Sequence, residues 1–150
     1  MNEDELQNYL GRKLPLLSAR EMAQALLEIK VLLGTRTILI HTQHWALTYG
    51  QNAERLENAL MGGIALAGTR YRFGDDFTLE QYASTRALPS VENGASFARD
   101  LKALLGTKVC CLPSKRVMEQ NVTTIGLGDA FVGGFLSSLS DGGVVYREKG

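Results

Sequence analysis

Charge of one sign is not in excess in this chain: lysine plus arginine equal aspartate plus glutamate, at 16 each. Without a basic surplus, nothing in the composition points to nucleic acid or an anionic membrane surface as a partner. Long apolar runs are also missing, and none approaches the roughly 18–20 residues that a membrane-spanning helix needs. The opening residues, Met-Asn-Glu-Asp-Glu-Leu, are acidic and do not read as a signal peptide. Cysteine is scarce. Cys110 and Cys111 are neighbours, so they cannot close an ordinary long-range disulfide. Metal binding by that pair alone is unfavoured, and two small residues on a buried strand is the simpler reading. These absences lead to the expectation of a reducing cytoplasm. No Walker pattern with lysine before serine or threonine occurs, and no full Gly-x-Gly-x-x-Gly precedes a helix, which removes P-loop and Rossmann readings. No repeat, low-complexity tract or linker divides the sequence. Its 150 residues suffice for one domain with its own core, so a single domain over 1–150 is expected.

What is present is an alternation of helical and strand-like segments. Residues 2–10 read as a loop turning into a short helix. Ser18 and Glu21 form a capping-box pattern. It opens a helix with Met22, Ala23, Leu26 and Leu27 on one apolar face, and Gly34 is its stop signal. Thr37–His41 is a short β-branched run that reads as a buried strand, and Ala46–Tyr49 reads as a second strand across a turn at Gln43-His44. Asn52 is expected to cap a helix over about 53–68. Within it, Gly62 and Gly63 each cost roughly 1 kcal/mol relative to alanine, which close packing against the sheet would explain. Residues 69–89 look polar and irregular, with a second capping box at Thr78 and Gln81. Ser90 is expected to cap the next helix, which Gly106 ends. Residues 107–112 form a further strand, stopped by Pro113, and 115–118 form a short edge strand. The last helix is expected over about 127–139, with a loop or fraying tail from Asp141. Such alternation predicts an α/β fold with a mainly parallel sheet covered on both faces. Ligands sit at the carboxyl ends of strands in such sheets. His41, the 113–118 segment and Gly126–Asp129 all fall there.

The stretch that organises the chain runs from Asn121 to Phe135. Thr123 and Thr124 lead into Gly126-Leu127-Gly128-Asp129, and a small-residue apolar run follows at helical spacing. Glycine permits positive φ and close approach of a ligand. The first amides of a helix lack internal partners and, with the helix dipole, form an anion site. Asp129 on that first turn would repel a bound phosphate unless its carboxylate had a chemical task. Taking a proton from an attacking hydroxyl is one such task, and helping to hold a magnesium ion is another. Lone histidines are mostly structural, and His44 reads that way. For His41, nucleotide contact and a buried structural role stand level. Arg70 and Arg72 are within reach of phosphate, although a solvated loop is the simpler reading. Asp75-Asp76 reads as a turn.

The wording Thr-Thr-Ile-Gly-Leu-Gly-Asp-Ala-Phe, 123–131, resembles the phosphotransfer signature of the ribokinase-like superfamily, Thr-x-Gly-x-Gly-Asp. Within it the chain is most similar to the ADP-dependent sugar kinases, the glucokinase and phosphofructokinase group. Asn2-x-x-Glu5 resembles that group's Asn-x-x-Glu motif. His41-Thr42, followed by Trp45, resembles its His-Thr segment after a core strand. The resemblance covers nearly the whole chain but only the C-terminal third or so of a full-length kinase. It implies the C-terminal portion of a three-layer α-β-α ribokinase-like sandwich. It also implies Asp129 as catalytic base, with the amides of Gly126, Leu127 and Gly128 as the anion hole. Glu5 and Asp129 would help to hold Mg2+, largely through water, and Asn2 would touch the sugar. His41 and Thr42 would lie against the nucleotide, with Cys111 and Met118 as apolar neighbours of the adenine.

The sequence departs from that pattern in one main respect. The upstream strands, the lid over the sugar and the second magnesium motif, His-x-Glu, have no counterpart here. The leading expectation is phosphoryl transfer from ADP to a sugar or sugar-phosphate hydroxyl. An isolated nucleotide-binding module, partnered by the missing N-terminal portion or a second copy, is the first alternative. An ATP-using ribokinase relative is the second.

Overall fold

The structure, a computed structural model, describes residues 1–143. Caps set most of the element boundaries. Helix α1 (Glu3–Leu10) starts from a reciprocal capping box. The Asn2 side chain accepts the Glu5 N–H at 2.9 Å, and the Glu5 carboxylate accepts the Asn2 N–H at 2.9 Å. Helix α2 (Ala19–Leu33) is capped by the Ser18 hydroxyl and ends on Gly34 in the left-handed region. Strands β1 (Thr37–His41) and β2 (Trp45–Gly50) follow as a hairpin. A 3-10 turn (Ala53–Leu56) leads into α3 (Glu57–Phe73), and α4 (Leu79–Ala87) opens on the Thr78–Gln81 capping box. Helix α5 (Glu92–Leu105), strand β3 (Val109–Pro113) and helix α6 (Leu127–Gly143) complete the order.

The sheet runs β1-β2-β3, and both pairings are antiparallel. This corrects the expectation of a mainly parallel sheet. Three residues, 42–44, join β1 to β2, far too few for a parallel crossover, so the chain must double back. Parallel geometry among the described residues is confined to a single bridge, Asn2 with His41, on the outer side of β1.

Register then sorts the side chains, because alternate residues face opposite sides. Ile38, Ile40, Trp45, Leu47, Tyr49 and Val109 join Leu6, Met22, Leu26, Ile29, Phe97 and Leu101 in one core, under α1, α2 and α5. Ala46, with Leu39, Cys110 and Leu112 at its margin, faces Leu60, Ile64, Phe131 and Phe135 from α3 and α6. Helices therefore cover both faces. The central strand β2 is buried along its whole length, whereas Thr37, Leu39 and His41 of β1 are only half covered.

Several local expectations change. Asn52 is not a side-chain cap; it sits at φ +58 and a 3-10 turn precedes α3. Residues 69–89 are largely helical, as the end of α3 and as α4. Helix α5 begins after Val91, while Ser90 bridges Lys115. Residues 115–118 make that one bridge and no strand. Gly62 and Gly63 pack against α6 rather than the sheet: a Cβ on Gly63 would lie 2.7 Å from the Phe131 ring. Helix α6 continues to Gly143, and the expected tail beyond it lies outside the described residues.

Candidate functional site

The connection from β3 to α6 is laid along the C-terminal end of α3. Arg72 Nε donates to the Glu119 carboxylate at 2.5 Å. The Thr123 N–H donates to the Tyr71 carbonyl at 2.9 Å, and Arg70 Nε donates to the Ile125 carbonyl at 3.0 Å. These three attachments deliver the chain to Gly126, which turns at φ +74. Its carbonyl accepts the Ala130 N–H at 3.0 Å, the first bond of α6. The amides of Leu127, Gly128 and Asp129 consequently have no partner inside the helix. Asp129 is exposed on this first turn, and Gly126, Leu127 and Gly128 are half-buried.

His41 is the residue around which the sequence-distant motifs meet. Its ring stacks on Phe131, one half-turn beyond Asp129, with centroids 4.6 Å apart. A Cβ on Gly128 would lie 3.6 Å from His41 Cε1, so the helix start passes directly over the imidazole. On the other side the His41 main chain bridges Asn2, and its N–H donates to the Met1 carbonyl at 3.1 Å. Burial holds the His41 pKa below the ordinary histidine value, and the Glu5 carboxylate acts in the opposite direction. Segments 2–5, 41 and 126–131 thus share one end of the sheet.

The remaining sequence candidates are distributed less evenly. The Thr42 hydroxyl is committed to the β1–β2 turn: it donates to the Trp45 carbonyl and accepts the His44 and Trp45 N–H groups, all at 3.1 Å. Cys111 pairs with Leu47 and packs into the α2–α5 core, on the face of the sheet opposite Phe131 and α6. Burial pushes its thiol pKa up. Met118 is 74% exposed on the connection. Neither is brought to the helix start. Arg70 and Arg72 do not lie on a solvated loop. Both belong to the last turn of α3, and Arg72 also donates to Ser84 and to the buried Thr85.

Two participants make contacts that the sequence does not show. Phe131 was legible only as the last letter of the motif, yet it is 3% exposed and carries the His41 stack. Arg70 stood out only as a cation within reach of phosphate, and its 55-residue separation from Ile125 hides the contact that it makes.

Magnesium requires hard oxygen donors. No group of three or more metal-binding side chains occurs among the described residues. Exposed Glu5 and Asp129 are suitable donors only for an ion that keeps most of its water. One Glu5 oxygen is already engaged by the Asn2 amide. No helix among the described residues is long and apolar enough to cross a membrane.

Neither a protein-family model nor the sequence of a curated protein matches the chain significantly. Solved structures do. A phosphofructokinase from Pyrococcus horikoshii OT3, solved with AMP, superposes with a TM-score of 0.70 at 21% identity, over 93% of this chain and 35% of that one. A last common ancestor of the ADP-dependent phosphofructokinases of Methanosarcinales gives 0.70 at 16% identity, over 92% and 35%. An ADP-dependent kinase in complex with fructose 6-phosphate and ADPβS gives 0.66 at 16%, over 91% and 34%. These likenesses define the class of fold, an α/β architecture of the ADP-dependent kinase type. More particularly, the chain has the fold of part of an ADP-dependent phosphofructokinase, and it spans about a third of the length of those it matches.

Proposed function

We propose that the chain is the C-terminal, single-domain portion of an ADP-dependent sugar kinase, within a ribokinase-like sandwich, and that it carries the base and the anion loop. One observation carries this reading: residues 2–5, 41 and 126–131 converge on His41 at the exposed start of α6. Convergence of that kind is what a site needs when the chemistry is positioning and charge neutralisation.

In the proposed reaction the oxygen of a sugar or sugar-phosphate hydroxyl attacks the β-phosphorus of ADP. The hydroxyl proton passes to the Asp129 carboxylate, the bond from β-phosphorus to the bridging oxygen breaks, and AMP leaves. The amides of Gly126, Leu127 and Gly128 meet the charge on the transferring oxygens. Loss of one such donor typically raises a barrier by roughly 3–4 kcal/mol. Asn2, beside His41, is the sugar contact, and His41 lies against the nucleotide. Glu5 and Asp129 are the carboxylates toward a hydrated Mg2+, which when bound neutralises charge on the nucleotide phosphates. Support for ADP as donor and for a sugar phosphate as acceptor comes from the fold likeness, since one solved relative is a complex with fructose 6-phosphate and ADPβS.

The test is calorimetry with ADP and ATP together with coupled assays on glucose and fructose 6-phosphate. Expected is ADP-dependent turnover that Asp129→Ala lowers by about 10²–10⁴ while ADP still binds. Near-normal turnover in that variant would refute the base. A second reading follows from the one-third coverage: the chain binds nucleotide but requires an upstream portion for catalysis. ADP binding without turnover supports it. Turnover with ATP in preference to ADP favours an ATP-using ribokinase relative.

A further inference from the structure

Arg70 sits directly behind the anion loop. Its side chain is 24% exposed, and its guanidinium pairs with Asp75, whose own side chain is 70% exposed. Nε donates to the Ile125 carbonyl at 3.0 Å. A Cβ on Gly126 would lie 2.9 Å from Nη2 and 3.1 Å from Cζ, so the guanidinium is packed against the turn itself. Glycine is favoured at 126 by its φ of +74, and a Cβ there would also push the guanidinium off the turn.

The Ile125–Gly126 peptide is planar and trans, so its carbonyl and its N–H point in opposite directions. Whatever holds the Ile125 oxygen also decides where the Gly126 N–H points. We propose that Arg70 is a positioning residue: by holding the Ile125 carbonyl toward α3, it aims the Gly126 N–H away from α3, to the side where an anion at the start of α6 would bind. This rests on reading 126–128 as an anion loop. The neighbouring attachments, Arg72 to Glu119 and Thr123 to Tyr71, bring the chain to the site but stop short of this peptide. Arg70 holds it from a helix, which is stiffer than any support within the loop. The ion pair with Asp75 is largely solvated and adds little orientation of its own. Lysine is no substitute, since it lacks the planar fork that contacts the carbonyl and the turn together.

The experiment compares the wild-type chain with Arg70→Met, Arg70→Lys and Asp75→Asn by amide NMR and hydrogen exchange, with inorganic pyrophosphate as the anion probe. In Arg70→Met and Arg70→Lys, the Gly126 amide resonance should move by more than any amide of the central strand. Leu47 in the central strand should stay unchanged, and pyrophosphate affinity should fall about tenfold. Asp75→Asn should leave Gly126 near its wild-type shift. An unmoved Gly126 in both Arg70 variants overturns the proposal, as does full restoration by lysine, which would make charge alone responsible. Accelerated exchange at Leu47, the mark of general destabilisation, also overturns it. If Gly126 responds while pyrophosphate binds neither protein, the positioning role stands and the anion-loop reading fails.

Discussion

Two adjacent glycines of α6 are expected to respond to alanine with opposite signs. Helix α6 crosses α3 where glycines face each other, and the crossing fixes the height at which the motif helix lies over the sheet. A Cβ on Gly134 would press on the Gly62 carbonyl oxygen and lie 2.7 Å from Leu66 Cβ and 2.9 Å from the Gly62 carbonyl carbon. Two of those neighbours are backbone atoms and the third is bound directly to it, so no rotamer change relieves the overlap; the helices must separate. A Cβ on Gly133, one residue earlier, would meet only Leu66 Cδ2 at 3.9 Å, an ordinary contact.

The intrinsic gain of alanine over glycine in a helix is about 1 kcal/mol at either position. At Gly133 nothing opposes it, so Gly133→Ala should stabilise by up to about 1 kcal/mol. At Gly134 the overpacking term opposes it. Overpacking ordinarily costs about 1–3 kcal/mol, and a clash with main chain falls at or above the upper end. The net expectation is destabilisation by about 2 kcal/mol, or roughly 4–8 °C in Tm for a chain of this size. Urea unfolding is conveniently followed through Trp45, which is the chain's single tryptophan, fully buried and stacked 4.9 Å from Phe97. If Gly134→Ala proves as stable as the wild type, or if both variants lose stability equally, the close crossing of α3 and α6 is wrong.

Two further outcomes concern protonation. Burial depresses the His41 pKa, so the unfolded chain binds the proton first as pH falls. Stability from this site should be complete above the ordinary histidine value of about 6.5 and decline below it, by at most about 1.4 kcal/mol per pH unit. The difference between wild type and His41→Gln in unfolding free energy across pH 5–8 isolates the effect, and a difference that grows in favour of wild type on acidification refutes it. Burial also pushes the Cys110 thiol up to about 11 and the Cys111 thiol higher still. Iodoacetamide at pH 8 should therefore modify Cys110 roughly 100-fold more slowly in the folded chain than a thiol of ordinary pKa 9.0, and unfolding in urea should restore the rate.

Local chemistry by itself determined a large part of this protein. Ser18, Thr78 with Gln81, and the glycines at 34 and 106 marked helix ends because capping is satisfied within three or four residues of the same chain. The run Thr37–His41 was legible as a strand, and the wording at 123–131 as the start of a helix able to receive an anion. The fold likeness to ADP-dependent phosphofructokinases agrees with the family that this wording suggested.

Tertiary structure alone decided the direction of the strands, the face each residue takes, and the neighbours of the motif. A short β-branched run carries no sign of whether its partner is parallel; the three-residue turn held at Thr42 imposes the antiparallel hairpin. Cys110 and Cys111 are equivalent in sequence, yet the pleat sends one toward α6 and the other into the opposite core. The glycine pair in α3 reads only as a propensity defect until α6 crosses it. Arg70 and His41 show the same limit most clearly. Each reaches the motif helix or the loop before it across more than 50 residues of chain, through a carbonyl in one case and a ring face in the other. Such contacts depend on backbone position rather than on residue type, so no spacing in the sequence encodes them.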